Sequence, residues 1–214
     1  MNTMLTVLAC DWSGVISDDR RPVYEANMRL LELYRRPRVP FEEWLQNTKA
    51  RASDYLISQG VTEPPDYLEK LYQQKLNEVY REGILPEIYP DVPATLEQLS
   101  KRIPIAIVST HPLENLIEEA RRYNLLRFLV EELIFGGLKN KTESLLLICQ
   151  KLNATPETVL FVGDTIYDID AGKKAGVRTA GITTGYHSRE MLKNAQPDYI
   201  LTSFSEVLTV FGLA

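Results

Sequence analysis

The sequence predicts an α/β core, a parallel sheet with helices on both faces, interrupted by an all-helical insert. Two observations predict it. One apolar run, Met4 to Cys10, stands alone ahead of a long helical block. After that block, short apolar runs alternate with helical stretches, and strands alternating with helices imply a parallel sheet covered on both sides. A third observation separates this core from a plain doubly wound nucleotide-binding domain. The turn after the first run carries neither G-x-G-x-x-G nor a P-loop.

Each element follows in order. Met4 to Cys10 reads as a buried strand that ends at Asp11, with Gly14 letting the chain peel away. From about Arg21 to Arg81 the pattern is helical. Glu25 to Tyr34 carries apolar residues at helical spacing, Pro37 and Pro40 interrupt it, and Phe41, Trp44, Leu45, Tyr55 and Leu56 resume it. Pro64-Pro65 opens a further helix over Tyr67 to Tyr80, with Leu68, Leu71, Leu76 and Val79 on one side. Leu85 to Pro90 reads as an extended linker. Strands are then expected at Ile103 to Val108, Val130 to Phe135, Val159 to Val162, Val177 to Ile182 and Tyr199 to Leu201. Helices are expected near Leu113 to Tyr123, Thr142 to Leu152 and Tyr167 to Ala175. The core is therefore assigned to 1–17 and 86–214, and the insert to 18–85.

Bulk properties exclude several classes. The chain has 214 residues, enough for a full core plus an insert. A net charge of −5 argues against nonspecific nucleic-acid binding, which needs a basic face. No apolar stretch approaches the roughly 20 residues of a membrane span, and Met4 to Cys10 is too short for a signal core. A cytoplasmic location is expected. The two cysteines, Cys10 and Cys149, form no metal-ligand spacing and sit in apolar runs, so both read as core. Cys10 and Asp11 are adjacent on a strand, so their side chains point to opposite faces.

Four segments carry chemistry. Asp11 stands beyond the carboxyl end of the first strand, where open α/β sheets bind ligands, and an ionised carboxylate there can attack phosphorus. In Ile105-Ala106-Ile107-Val108-Ser109-Thr110-His111-Pro112 a strand runs into hydroxyls just ahead of a helix, which suits phosphate oxygens; Ser109 or Thr110 can equally cap that helix. His111, a lone histidine beside a proline, is given no role. In Gly136-Gly137-Leu138-Lys139-Asn140-Lys141-Thr142, a lysine ahead of a helix offsets clustered negative charge; Lys141 is preferred over Lys139 for its distance to the helix. The most specific segment is Val162-Gly163-Asp164-Thr165-Ile166-Tyr167-Asp168, continuing to Gly176. If a helix starts between the two aspartates, both carboxylates face the same sheet edge. Converging carboxylates repel unless a cation sits between them, and oxygen ligands beside a phosphate favour Mg²⁺. Asp170 reads as solvated surface.

The order Asp11, Ser109, Lys141, Asp164-x-x-x-Asp168, each at a strand–loop junction, resembles the haloacid dehalogenase superfamily over nearly the whole chain. The resemblance implies a Rossmann-like core with a helical cap. It implies a strand-end nucleophile, Asp11, and a Mg²⁺ held by Asp11, the Ser13 carbonyl and Asp164, with Asp168 acting through water. It implies that Lys141 pairs with the nucleophile and a phosphate oxygen. Ser13, Gly14, Ser109, Thr110 and Lys141 then bind phosphate, and Asp11, Ser109, Lys141 and Asp168 form the catalytic set. The tail Thr183-Thr184-Gly185-Tyr186-His187-Ser188-Arg189 and Pro197-Asp198-Tyr199-Ile200 is similar to the phosphoglycolate phosphatase-like branch; Gly185 reads as a turn and His187 as exposed. The implied activity is hydrolysis of a small phosphorylated metabolite through an aspartyl-phosphate.

One position departs from the family's phosphatases, which carry Asp two residues after the nucleophile, where this chain has Ser13. Serine is too weak an acid and base to protonate a leaving oxygen, a service worth roughly 10²–10⁴-fold. Asp18 and Asp19 are the nearby substitutes. The departure keeps two alternatives in view. One resembles phosphonoacetaldehyde hydrolase, which has Asp-Trp-Ala at this place and a cap lysine, here Lys49 in an early cap helix. The other is a phosphate-binding protein with a weakened site. A dehalogenase is disfavoured, because that branch has Tyr where Ser13 stands and needs no Mg²⁺.

Overall fold

β1 (Val7–Cys10) is buried along its whole length. Its Val-Leu-Ala-Cys sequence is apolar on both faces, as the centre of a parallel sheet requires. The structure is a computed structural model that describes residues 4–49, 51–137 and 140–213. Two short strands, β2 (Ser17–Asp18) and β3 (Glu87–Ile88), stand outside the main sheet. That sheet has six strands: β1, β4 (Ile105–Val108), β5 (Ile134–Phe135), β6 (Val159–Gly163), β7 (Arg178–Ile182) and β8 (Tyr199–Leu201), in the order β5-β4-β1-β6-β7-β8. Every pairing is parallel, with Leu8 opposite Ile105 and Ala9 opposite Phe161. The connections leave β1 for β4 on one side and return to β6 on the other. The switch in direction therefore lies at the carboxyl end of β1, where ligands bind in such sheets.

The chain divides into two compact units, Met1–Asp18 with Ile88–Ala214, and Asp19–Glu87. The second is the helical cap. It is not helical throughout but holds α1 (Arg20–Leu33), α2 (Phe41–Asn47), α3 (Ala52–Ser58) and α4 (Pro65–Arg81). α1 stops where Arg35 adopts φ 55° and the Arg36 N–H donates to the Leu31 carbonyl at 2.7 Å, with Pro37 barring continuation. The Tyr24 ring meets Phe41 and Trp44 edge-on, with centroids 5.3 and 5.5 Å apart. On α4 the buried stripe is Leu68, Tyr72, Leu76 and Val79. Tyr72 takes the place expected of Leu71, since it completes the i, i+4, i+8 row. Lys49 is not on a helix. It follows the α2 cap Thr48, whose ψ of 157° ends the helix, and it is exposed.

In the core unit α5 (Val92–Ser100), α6 (Leu113–Arg122), α7 (Lys141–Leu152), α8 (Ile166–Ala175), α9 (Arg189–Asn194) and α10 (Glu206–Val210) follow the cap. The strand alternation divides them into two layers. Leu8, Cys10, Ile107, Leu160 and Val162 pack with Leu96 and Leu99 of α5, Leu116 of α6 and Val207 of α10. Val7, Ala9, Ala106, Val108 and Phe161 pack with Leu145 and Ile148 of α7 on the opposite face. Both cysteines are free and buried. The strand expected over Val130 to Phe135 is shorter. Glu131–Leu133 forms a 3₁₀ turn, and only Ile134 and Phe135 pair, with Ile107 and Val108. The exposed Glu131 and Glu132 suit a solvated turn better than a sheet edge. β1 likewise begins at Val7 rather than Met4, which is exposed. Among the described residues no helix is long and apolar enough to cross a membrane.

Candidate active site

Asp11 leaves β1 with its N–H still in the ladder, donating to the Val162 carbonyl at 2.9 Å. Its side chain turns back on the next residue: Oδ1 accepts from the Trp12 N–H at 2.7 Å. A tight turn follows. The Trp12 carbonyl accepts from the N–H groups of Val15, Ile16 and Ser17, and the Gly14 N–H donates to the Ser17 carbonyl at 2.7 Å. Gly14 adopts φ 74°, and a Cβ there would overlap the Asp164 carboxylate. Glycine is needed twice over, for the backbone and for the space. The Gly14 carbonyl accepts from Thr184 Oγ1 at 2.6 Å, and Tyr89 donates its hydroxyl proton to the Thr184 carbonyl at 2.8 Å, so the turn is tied to the loop after β7.

β6 ends at Gly163, and α8 opens at Ile166, between the two aspartates of its motif. Thr165 and Asp168 form a capping box. Asp168 Oδ2 accepts from the Thr165 N–H at 3.0 Å and from Thr165 Oγ1 at 2.6 Å. Asp168 Oδ1 remains free for Lys141, whose Nζ donates to it at 2.6 Å and to Asp11 Oδ2 at 2.5 Å. Lys141 is the first residue of α7, whose N-cap Asn140 accepts from the Thr142 N–H at 3.0 Å. The ammonium is buried. Burial works against its charge, but Asp11 and Asp168 hold its pKa well above the ordinary value. The competing Lys139 lies outside the described residues.

Asp11, Asp164 and Asp168 are all buried, and one oxygen from each lies within 4.8 Å of the others. Burial pushes the Asp11 pKa up, the Asp168 charge adds to this, and Lys141 and the Ser109 hydroxyl counter it. Asp164 is raised further, by burial and then by Asp168 and Asp11; the Tyr186 N–H, 2.7 Å from its Oδ2, works the other way. Three hard, buried carboxylates thus face the Lys141 ammonium. That donor set fits a divalent cation, which would favour the charged forms of Asp11 and Asp164. Glycine also lines the other side of Asp164, since a Cβ on Gly185 would overlap its carboxylate.

The structure brings Asp11, Ser109, Lys141, Asp164 and Asp168 together, with Gly14 packed against Asp164. Ser109 is fully buried at the end of β4. Its Oγ accepts from the His111 N–H at 3.2 Å, and α6 is capped by Pro112 without a side-chain bond. Neither hydroxyl therefore caps the helix. Thr110 is exposed, and Ser13 is half-buried beside Ser17. Asp170 is exposed. Asp18 and Asp19 stand outside the carboxylate cluster. His187, expected to be exposed, is buried: its Nδ1 accepts from the Ile166 N–H at 3.0 Å, and its own N–H donates to the Asp164 carbonyl at 3.3 Å. It braces the β6–α8 loop. Sequence reasoning missed Thr165, although Thr-x-x-Asp ahead of a helix is a capping-box signal, and it missed Thr184 and Tyr186, which act partly through backbone atoms and leave no such signal.

Comparisons with known proteins agree with this geometry. The family profile described as "haloacid dehalogenase-like hydrolase" matches residues 5–176. Phosphoglycolate phosphatases of Salmonella typhi and Escherichia coli K12 are 33% and 32% identical over 152 residues. Each match covers 68% of this chain and spans 59% of the relative's length. A haloacid dehalogenase-like hydrolase from Streptococcus pneumoniae superposes with a TM-score of 0.82 at 22% identity, covering 97% of this chain and 98% of that one. A haloacid dehalogenase-like protein from Agrobacterium tumefaciens gives 0.81 at 18% identity, with 97% and 98% covered. These two share the fold. With a six-stranded parallel core, a helical cap and a strand-end carboxylate cluster, the chain belongs to the haloacid dehalogenase-like hydrolase family and is similar to its phosphoglycolate phosphatase-like branch.

Proposed function

We propose that the protein is a Mg²⁺-dependent phosphatase of small phosphorylated metabolites that works through an aspartyl-phosphate on Asp11. One observation carries this reading. The Asp11 carboxylate, at the end of the central strand, is held by the Trp12 N–H on one oxygen and by Lys141 on the other, beside two further buried carboxylates. Nothing about a structural carboxylate calls for that crowding. The relatives called phosphoglycolate phosphatases support a small phosphorylated acid as the substrate class.

The residues act as follows. Lys141 fixes the Asp11 carboxylate and supplies positive charge where a phosphoryl group carries negative charge. Asp11 attacks phosphorus; the P–O bond to the leaving group breaks, and its electron pair goes to the leaving oxygen. Water then attacks the phosphorus of the acyl phosphate, releasing phosphate and restoring the carboxylate. Asp168 orients Lys141 while anchored by its own capping box. Ser109 donates a hydroxyl toward Asp11 and the phosphoryl oxygens. Asp11, Asp164 and the Ser13 carbonyl would hold Mg²⁺, with Asp168 acting from beyond them. When bound, the ion neutralises carboxylate and phosphoryl charge. Lys49 is exposed and outside any helix, whereas the phosphonatase reading needs it on an early cap helix.

The test is phosphate release from a panel of phosphate esters, 2-phosphoglycolate and phosphonoacetaldehyde, with and without Mg²⁺. Mg²⁺-dependent release from small phosphate esters, abolished by Asp11→Asn, is expected. Release from phosphonoacetaldehyde alone, or turnover by Asp11→Asn above about a tenth of wild type, would overturn the proposal.

A further inference from the structure

Beneath the Asp11 turn lies a polar group that the chemistry above does not use. Glu119, on α6, is 5% exposed, and the Trp12 and Ser17 side chains are fully buried. Trp12 shares its core cluster with Leu116 and Ala120, which flank Glu119 on α6. Trp12 Nε1, Ser17 Oγ and Glu119 Oε1 are all buried, and none of the three has a closed hydrogen bond. The hydroxyl and the indole N–H lie near enough to lower the proton affinity that burial gives the Glu119 carboxyl, though the three atoms stop short of closed hydrogen bonds. Around them Val15, Ile16, Leu116 and Ala120 belong to the buried core.

Three polar atoms buried this way are costly unless they serve one another. An apolar residue at 119 would pack against Leu116 and Ala120 without that cost. Trp12 is also the pivot of the turn. Its N–H holds Asp11 Oδ1, and its carbonyl gathers the N–H groups of Val15, Ile16 and Ser17. The indole and the peptide that holds Asp11 Oδ1 thus belong to one residue, and Ser17 stands at the far end of the same turn.

We propose that Glu119 is a positioning residue, which locks the Trp12 indole and the Ser17 hydroxyl from below and so holds the Trp12 N–H on the Asp11 carboxylate. The proposal rests on Asp11 being the nucleophile only for its kinetic consequence; its structural content is separate.

The test uses amide hydrogen exchange by NMR on the full chain, with Glu119→Leu and Glu119→Gln, and needs no turnover. Glu119→Leu is expected to speed exchange at Trp12, Gly14 and Ser17 by about tenfold or more, while the Asp11 amide, bonded to Val162, is unchanged. Glu119→Gln, which keeps both a donor and an acceptor, should restore most of the protection. In phosphatase assays Glu119→Leu should lower kcat by about tenfold with KM unchanged, and Glu119→Gln should recover it. Exchange that rises equally through β1, β4 and β6 would mean a general loss of stability and overturn the proposal. So would unchanged exchange in the turn, or a faster turn with kcat unaltered. If Asp11→Asn is itself active, the nucleophile assignment fails, whatever the exchange data show.

Discussion

Lys141 Nζ donates to Asp11 Oδ2 at 2.5 Å from a helix 130 positions further along the chain, and the same nitrogen bonds Asp168 at 2.6 Å. One ammonium thus stands between two buried carboxylates and is the nearest offset to the negative charge of the site. Removing it leaves those charges uncompensated. Lys141→Met should cost about 3–5 kcal/mol of stability at neutral pH, the range seen when one partner of a buried ion pair is lost. Turnover should fall by about 10²-fold or more, because the phosphoryl charge loses a fixed counter-charge. Urea unfolding and phosphate release measure the two effects. A Met variant with wild-type stability and activity within about threefold of wild type would contradict this role.

Asp164 gives the complementary case. Its carboxyl is pushed up by burial and by its two neighbours, so without a cation it opposes folding at neutral pH. Asp164→Asn keeps the acceptor that meets the Tyr186 N–H and removes the charge. Thermal melting should show two changes. The metal-free variant should melt higher than the metal-free wild type. The rise that Mg²⁺ confers on wild type, about 2.7 kcal/mol at a hundredfold excess over Kd, should be largely lost. An equal Mg²⁺ response in both proteins would remove Asp164 from the metal site.

Much of this arrangement was legible because strand ends are marked. Asp11, Ser109 and Asp164 each follow an apolar run, and a polar residue there stands at the carboxyl edge of a parallel sheet whatever else the chain does. Lys141 and Asp168 were legible from helix starts. What was not legible depends on partners distant in sequence. His187 looked like an exposed loop residue, yet its ring accepts from Ile166 and is buried by the fold. Gly185 read as a turn, while its missing Cβ makes room for Asp164. The cap that Ser109 or Thr110 offered as a second reading does not form, and the helix expected to carry Lys49 ends before it. The Glu131–Leu133 turn carried a strand's apolar pattern at its ends only.

His111 sets a pH limit that belongs to the core rather than to the chemistry. Its ring is buried, its Nε2 has no hydrogen-bond partner, and burial lowers its pKa to about 4. In the unfolded chain a histidine titrates near 6.5, so between these values the unfolded state binds the extra proton. The contribution of His111 to stability is therefore fully present above about pH 6.5 and is lost as pH falls toward 4, by about 3 kcal/mol in all. The raised carboxyls of the active site titrate in the opposite sense, so the comparison must be between variants. The difference in unfolding free energy between wild type and His111→Asn should be steady above pH 7 and shift against wild type between pH 6.5 and 4. A difference that stays flat with pH would mean that the ring protonates freely in the folded state.

On the proposed mechanism, Ser13 should govern which substrates the site turns over. It follows Asp11 by two positions and is half-buried in the turn closed by Gly14 and Ser17. A carboxyl there would protonate a leaving oxygen and later activate water; a hydroxyl does neither. The rate should therefore depend on leaving-group pKa. Aryl and acyl phosphates leave without a proton and should react well, whereas alkyl phosphates should be slow. Ser13→Asp should raise alkyl-phosphate turnover, by up to the roughly 10²–10⁴-fold that acid–base catalysis supplies, and should change aryl rates little. The new carboxylate joins a site that already holds three, so Mg²⁺ affinity must be measured beside the rates to separate tighter metal binding from proton transfer. A gain confined to alkyl substrates at unchanged metal affinity locates the defect at Ser13. A fall with every substrate would mean that the turn is built around the serine and that the proton comes from another group.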